Sequence, residues 1–220
     1  MEEVEKLTRR PIAARDTRWA AAIARALANA GLRPNAISVL SVVFAAAAAA
    51  GLVGAGRFDG GARIFCWLGA AGGIQLRLLA NLFDGMVAVE GGFRTKSGEI
   101  FNELPDRISD ALILAAAGYA ISGIAWLPAL GWTAAVLAVI TAYVRTLGAA
   151  CGTAQYFIGP MAKQQRMFLL TAACLGNALL LPLGVWHVDL IPWALVIVAA
   201  GCVVTIARRA ARILRELESK

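Results

Sequence analysis

Asn81, Asp84, Asn102, Asp106 and Asp110 recur at intervals of three or four residues wherever two of them share a run, and long apolar stretches flank them on both sides. Carboxylates and amides at membrane depth are expensive to keep, so they mark a site. On a helix of 3.6 residues per turn, Arg77, Asn81, Asp84 and Ala88 fall at i, i+4, i+7 and i+11 and form one stripe. Asn102, Asp106 and Asp110 form a second. The short connection of Gly91, Gly92, Arg94, Thr95, Lys96, Ser97 and Gly98 predicts two antiparallel neighbouring helices whose stripes converge near one membrane face. Two close carboxylates ringed by amide oxygens are strained unless a proton or a hard divalent cation lies between them. Mg²⁺ takes one or two carboxylates and fills its shell with water and phosphate oxygens, so the set predicts a metal site that polarises a phosphoryl group and steadies a leaving phosphate. The competing account is a hydrogen-bonded helix contact with one aspartate protonated.

The neighbours of these residues allow two readings each. Gly85 and Ala88 leave room for a flat ring or a sugar against the helix, or serve plain helix packing. Asn102 is either a ligand or the N-cap of a helix in which Pro105 occupies the tolerant first turn. Lys163 and Arg166 either meet a charged substrate or anchor the chain at the membrane surface, whereas Arg77 and Arg145 lie deeper than snorkelling explains. No Ser-His-Asp or Cys-His arrangement, phosphate-cradling glycine loop or zinc spacing is present in the sequence.

Elements that hold such a site follow from composition. The 220 residues are 60% hydrophobic and 16% charged, against roughly 25% charged in a soluble domain. This predicts an all-α integral membrane protein. Windows of roughly 20 apolar residues place six transmembrane helices near Ala36–Ala55, Ile64–Ala88, Asn102–Ile121, Leu127–Cys151, Met167–Trp186 and Leu190–Ala207. The domain reading is a basic arm over 1–35, a six-helix catalytic domain over 36–207 and a basic tail over 208–220. Lys6, Arg9, Arg10, Arg15, Arg18 and Arg25 replace the apolar core of a cleavable signal, so the arm is expected to stay. Within it, Asp16–Gly31 puts Trp19, Ile23, Ala26 and Leu27 on one face, as in an amphipathic helix lying in the headgroup layer.

Positive residues in the arm, at Arg94 and Lys96, at Lys163 and Arg166, and at Arg208, Arg209, Arg212 and Arg215 predict cytoplasmic termini and a cytoplasmic site; Arg57 and Arg63 run against that bias. The net charge of +7 suits anionic lipid. Without a separate basic soluble domain, nucleic acid is not an expected partner. Cys66, Cys151, Cys174 and Cys202 are far apart and read as packing residues. Gly69, Gly72, Gly73 and the pair Gly148 and Gly152 let helices approach closely. His187, beside Trp186, reads as an interfacial residue on the opposite face.

The stretch Asn81-x2-Asp84-Gly85-x2-Ala88-Val89, followed by Gly98-x3-Asn102-x3-Asp106, resembles the signature of the CDP-alcohol phosphotransferase family, D-x2-D-G-x2-A-R, then G-x3-D-x3-D. Pro34-Asn35-Ala-Ile-Ser38, Tyr143-Val-Arg145 and Gly159-Pro160-x-x-Lys163-x-x-Arg166 look like the family as well. The resemblance implies transfer of a substituted phosphate from a CDP-linked lipid such as CDP-diacylglycerol to a polar alcohol, with release of CMP, at a Mg²⁺ or Mn²⁺ site opening to the cytoplasm. It implies Asp84, Asn81, Asn102 and Asp106 at the metal, Asp106 as general base, and Gly85, Ala88 and Asn35 around the nucleotide. Arg145, Lys163, Arg166 and Arg77 are implied at the acceptor or phosphates. A homodimer in a bacterial inner membrane is implied too.

Asn81 and Asn102 stand where the signature has aspartates, and Val89 where it has arginine. Two lost negative charges make two divalent ions harder to hold, so the expectation is a single or altered metal site, with Glu103 or Asp110 as substitute ligands. A bacterial subfamily with Asn-x-x-Asp-Gly-Met and Asn-Glu-x-x-Asp is similar, which favours a coherent variant. Two alternatives remain: a catalytically silent member that binds nucleotide or lipid, and a cation- or proton-coupled transporter, which also places carboxylates on neighbouring helices.

Overall fold

The computed structural model describes residues 17–90, 98–183 and 189–220. Among them are seven helices and no strand: α1 (Arg18–Asn29), α2 (Pro34–Ala55), α3 (Gly60–Glu90), α4 (Gly98–Ala117), α5 (Leu127–Ala150), α6 (Lys163–Leu180) and α7 (Leu190–Glu218). By length and composition α2, α5 and α7 suffice to cross a membrane. The ionisable stripes of α3, α4 and α6 keep those helices less apolar. Trp186, His187 and the connection from Gly91 to Ser97 lie outside the described residues.

Helices α2 to α7 close a ring in the order α2, α3, α6, α7, α5, α4. The predicted pairing of α3 with α4 therefore needs correction. Helix α2 wedges between them, and they face each other across the ring with little backbone contact. Small residues make the wedge thin enough: Ala45, Ala48 and Ala55 of α2 are buried in one core with Ala70 and Ile74 of α3 and Ile113 and Leu114 of α4. At the α2–α3 seam a Cβ on Gly51 would lie 2.9 Å from Ala70 N and from Cys66 O. Gly51→Leu is expected to destabilise the protein by about 1–3 kcal/mol, while Gly69→Leu, with nothing within 4 Å of its Cβ position, leaves stability unchanged. Thermal unfolding of both variants in detergent checks this.

Helix α1 lays Ala20 and Ala24 on Phe83, Met86 and Val87 of α3, and Trp19 meets Phe83 edge-on at 6.3 Å. Trp19 and Ile23 are 50% and 41% exposed, so the alanine face packs on protein while these two bulky apolar residues stay largely uncovered.

Three element boundaries differ from the sequence reading. Helix α4 starts at Gly98, so Asn102 is no N-cap and Pro105 lies inside the helix, where it deprives the Phe101 carbonyl of its usual donor. Helix α6 starts at Lys163 and ends at Leu180, shifted toward the N-terminus from the predicted span. Helix α7 runs past Ala207 to Glu218, roughly 44 Å at 1.5 Å per residue, and absorbs the expected tail. Charge ends a membrane span without ending a helix.

Candidate active site

The polar stripes of α3 and α4 meet inside the ring, joined by cations from α5 and α6. Arg77, fully buried, donates through Nη2 to Asp110 Oδ1 at 2.7 Å, to Asp106 Oδ1 at 3.1 Å and to the Asp106 carbonyl at 3.3 Å. Arg166 Nη2 donates to Asp110 Oδ2 at 2.5 Å, and its Nη1 reaches the Met161 carbonyl at 3.0 Å. Both Asp110 oxygens are thus held by guanidinium groups, and the residue is 1% exposed. The expectation that Asp110 supplies a spare metal ligand does not fit this placement.

One turn toward the N-terminus of α4, Asp106 is equally engaged. Its Oδ1 also accepts Asn81 Nδ2 at 2.8 Å, and its Oδ2 accepts Lys163 Nζ at 2.5 Å. The same ammonium donates to Asn81 Oδ1. A carboxylate offers about four acceptor positions. Arg77 and Asn81 fill those of Oδ1, and Lys163 takes one on Oδ2. One remains.

Asp84 is different. It is 4% exposed, its Oδ2 accepts Ser38 Oγ at 2.8 Å and its Oδ1 accepts the Gly85 N–H at 2.5 Å. Among the described residues no cation lies within ion-pair distance of it, although Asp106 and Lys163 are near enough to act on its charge. A buried carboxylate without a counter-charge is costly. Asp84, the Asn81 amide oxygen and the open position on Asp106 are hard oxygen donors, the set that fits Mg²⁺ or Mn²⁺ rather than a softer metal. Among the described residues no three His, Cys, Asp or Glu side chains converge, so the amide and incoming phosphate oxygens must contribute to any coordination shell.

A third cluster lies beside this one. Arg145 of α5 donates to Glu103 Oε1 at 2.6 Å and to Gln155 Oε1 at 3.4 Å, and its guanidinium lies 4.9 Å from the Phe157 ring centre. Arg107 closes on the other Glu103 oxygen. Glu103, expected as a substitute ligand, is committed to two arginines. Asn102 is exposed on α4, one turn before Asp106, and among the described residues it makes no hydrogen bond to the cluster. Gly85, Ala88 and Asn35 are half-buried, and Val89 faces outward, 46% exposed.

The connection from α5 to α6 sets the position of Lys163 and Arg166. Gly159 has φ +116°, and a Cβ there would lie 2.6 Å from Thr205 Cγ2 of α7, so only glycine suits the turn. Thr205 Oγ1 accepts Met161 N at 3.0 Å, and Arg209 donates to the Ile158 carbonyl at 3.0 Å and the Thr141 carbonyl at 2.6 Å. Sequence reasoning passed over Thr205 and treated Arg209 as part of a basic tail. It also missed Ser38 as the Asp84 partner, although Ser38 ends the Pro34-Asn35-Ala-Ile-Ser38 stretch that it singled out.

No protein-family model and no curated protein sequence matches the chain. Its fold is shared with solved structures of the Mycobacterium tuberculosis phosphatidylinositol phosphate synthase PgsA1. With manganese and citrate, that structure gives a TM-score of 0.70 at 21% identity, covering 89% of this chain and 88% of that one. The CDP-DAG-bound structure gives 0.70 at 21%, covering 90% and 94%, and the apo form 0.70 at 22%, covering 87% and 94%.

Proposed function

We propose that this chain is a metal-dependent CDP-alcohol phosphotransferase of the membrane, moving a phosphatidyl-type group from a CDP-linked lipid to a polar alcohol and releasing CMP. The observation that carries the reading is the meeting of the stripe of Asn81 and Asp84 with Asp106 inside the ring, with one buried carboxylate, Asp84, that has no counter-charge at ion-pair distance among the described residues. The fold shared with a synthase solved with manganese and with CDP-DAG supports it.

Asp84 and Asn81, with Asn102, would hold Mg²⁺ or Mn²⁺ in this reading. When bound, the metal neutralises the donor diphosphate and the departing CMP. Gly85 and Ala88, with Asn35 nearby, leave space for the cytidine. Asp106 Oδ2 receives the proton of the acceptor hydroxyl, since its last acceptor position serves a proton or a metal but not both while Lys163 stays in place. Arg145, stacked on Phe157, meets the acceptor or the phosphates after exchanging Glu103 for substrate. Arg77 and Arg166 hold Asp106 and Asp110 in register, and so position the base without touching substrate. Preorganised charge of this kind is what transfer at phosphorus asks of a protein.

The reading extends to the whole molecule. Six helices, α2 to α7, cross a bacterial inner membrane around the site, α1 lies in the headgroup layer, and the termini and cleft face the cytoplasm. The copies pair as homodimers. The signature is a coherent variant with asparagine at its first and third acidic positions.

Purified protein incubated with Mn²⁺ or Mg²⁺, CDP-diacylglycerol and a panel of alcohols is expected to release CMP, and EDTA to stop the release. Chromatographic detection of CMP decides the matter. Absence of CMP with every acceptor would leave a binding protein or a transporter.

A further inference from the structure

Lys163 closes on two oxygens that would otherwise face each other across a gap suited to a cation. Its ammonium touches Asn81 Oδ1 and lies 2.5 Å from Asp106 Oδ2, and its side chain is only 18% exposed. Asn81 presents its amide oxygen to the ammonium and its amide N–H to Asp106 Oδ1 at 2.8 Å. An aspartate at 81 has no donor for that second contact and would repel Asp106. Charge tells the same story. An aspartate with a divalent ion, and an asparagine with an ammonium, both carry a net charge of one positive. Asn81 and Lys163 are therefore matched to each other in hydrogen bonding and in charge.

We propose that the Lys163 ammonium is a tethered cation standing between Asn81 and Asp106 where a divalent ion would otherwise sit, so that each chain takes one divalent ion, at Asp84. The proposal rests on the reading that the cleft holds a metal and a CDP-linked donor. It gives Lys163 a purpose other than acceptor binding: a fixed charge that cannot dissociate and needs no second ion from the medium. It also gives a use to the turn at Gly159 and the Thr205 contact, which fix the segment leading into α6 against α7.

Counting bound Mn²⁺ tests it without reference to turnover. The purified full-length protein in detergent is titrated with Mn²⁺ in the presence of CDP, and bound ion is counted from the loss of the free Mn²⁺ resonance, with protein-free CDP as the blank. The wild type is expected to bind one Mn²⁺ per chain, and the Asn81→Asp/Lys163→Met double variant two. Two or none in the wild type, or one in a folded double variant, overturns the proposal. The wild-type count decides even if the double variant does not fold. CMP release measured on the same preparation separates the two claims. One Mn²⁺ without CMP from any acceptor retires the transferase and leaves the tethered cation, whereas CMP release with two Mn²⁺ does the reverse.

Discussion

Asp84→Asn is expected to lower CMP release by roughly 10³-fold while leaving the helical circular dichroism spectrum intact. Asp106, Asp110 and Glu103 each face a lysine or arginine at ion-pair distance, and among the described residues Asp84 does not. Of these four carboxylates, Asp84 is the one without a cation at ion-pair distance among the described residues, and so the one whose charge is open to a divalent ion. An asparagine keeps the volume and accepts the Ser38 hydroxyl, but brings no negative charge to the metal. Stability should move little or rise, because an unpaired buried charge disappears. The check is CMP formation under saturating Mn²⁺ and CDP-diacylglycerol. A variant within tenfold of wild type would mean that Asp84 holds no catalytic metal.

Asp110→Ala has its effect on folding. It leaves Arg77 with Asp106 alone and Arg166 without a carboxylate among the described residues, and Nε and Nη1 of Arg77 and Nε of Arg166 already have no partner among them. Removing one partner of a buried ion pair typically costs about 3–5 kcal/mol, which lowers Tm by roughly 6–20 °C in a chain of this size. Scanning fluorimetry in detergent reads the shift. The Asp110→Leu/Arg166→Met pair should recover part of the loss, since an apolar replacement of a whole buried pair is often tolerated. A Tm within 2 °C of wild type for Asp110→Ala would show that the two arginines find other acceptors on relaxing, contrary to the roughly 6–20 °C loss expected.

Residues that interact within a turn or two were the legible part of this site. The stripes of α3 and α4 stand out because carboxylates and amides at helical spacing have no inexpensive place among apolar runs. Pairings across long separations were not legible. Arg107, four residues on, was a local sign that Glu103 would be paired, but nothing local reveals that Arg145, 42 residues on, takes its other oxygen. The short connection between α3 and α4 suggested neighbours, but the alanines of α2 let a third helix pass between them, a fact of three-dimensional packing. The length of α7 was within reach. From Ala207 to Glu218 there is no glycine or proline, only residues that favour a helix and Ile213, and charge was taken for the end of the element when it marked only the end of its apolar part.

The order of helices around the ring bears on how the protein is made. Synthesis delivers α3, α4 and α5 before the helix that carries Lys163 and Arg166, and the braces from Thr205 and Arg209 emerge last of all. Asp106 and Asp110 must then leave the ribosome ahead of two of their final counter-ions, and Arg77 is the one of the three available to both from the start. A nascent chain has to carry this half-neutralised cluster into the bilayer and hold it until the ring closes. Arg77 is in this sense a chaperone written into the chain, shielding two acidic side chains during the interval before translation ends.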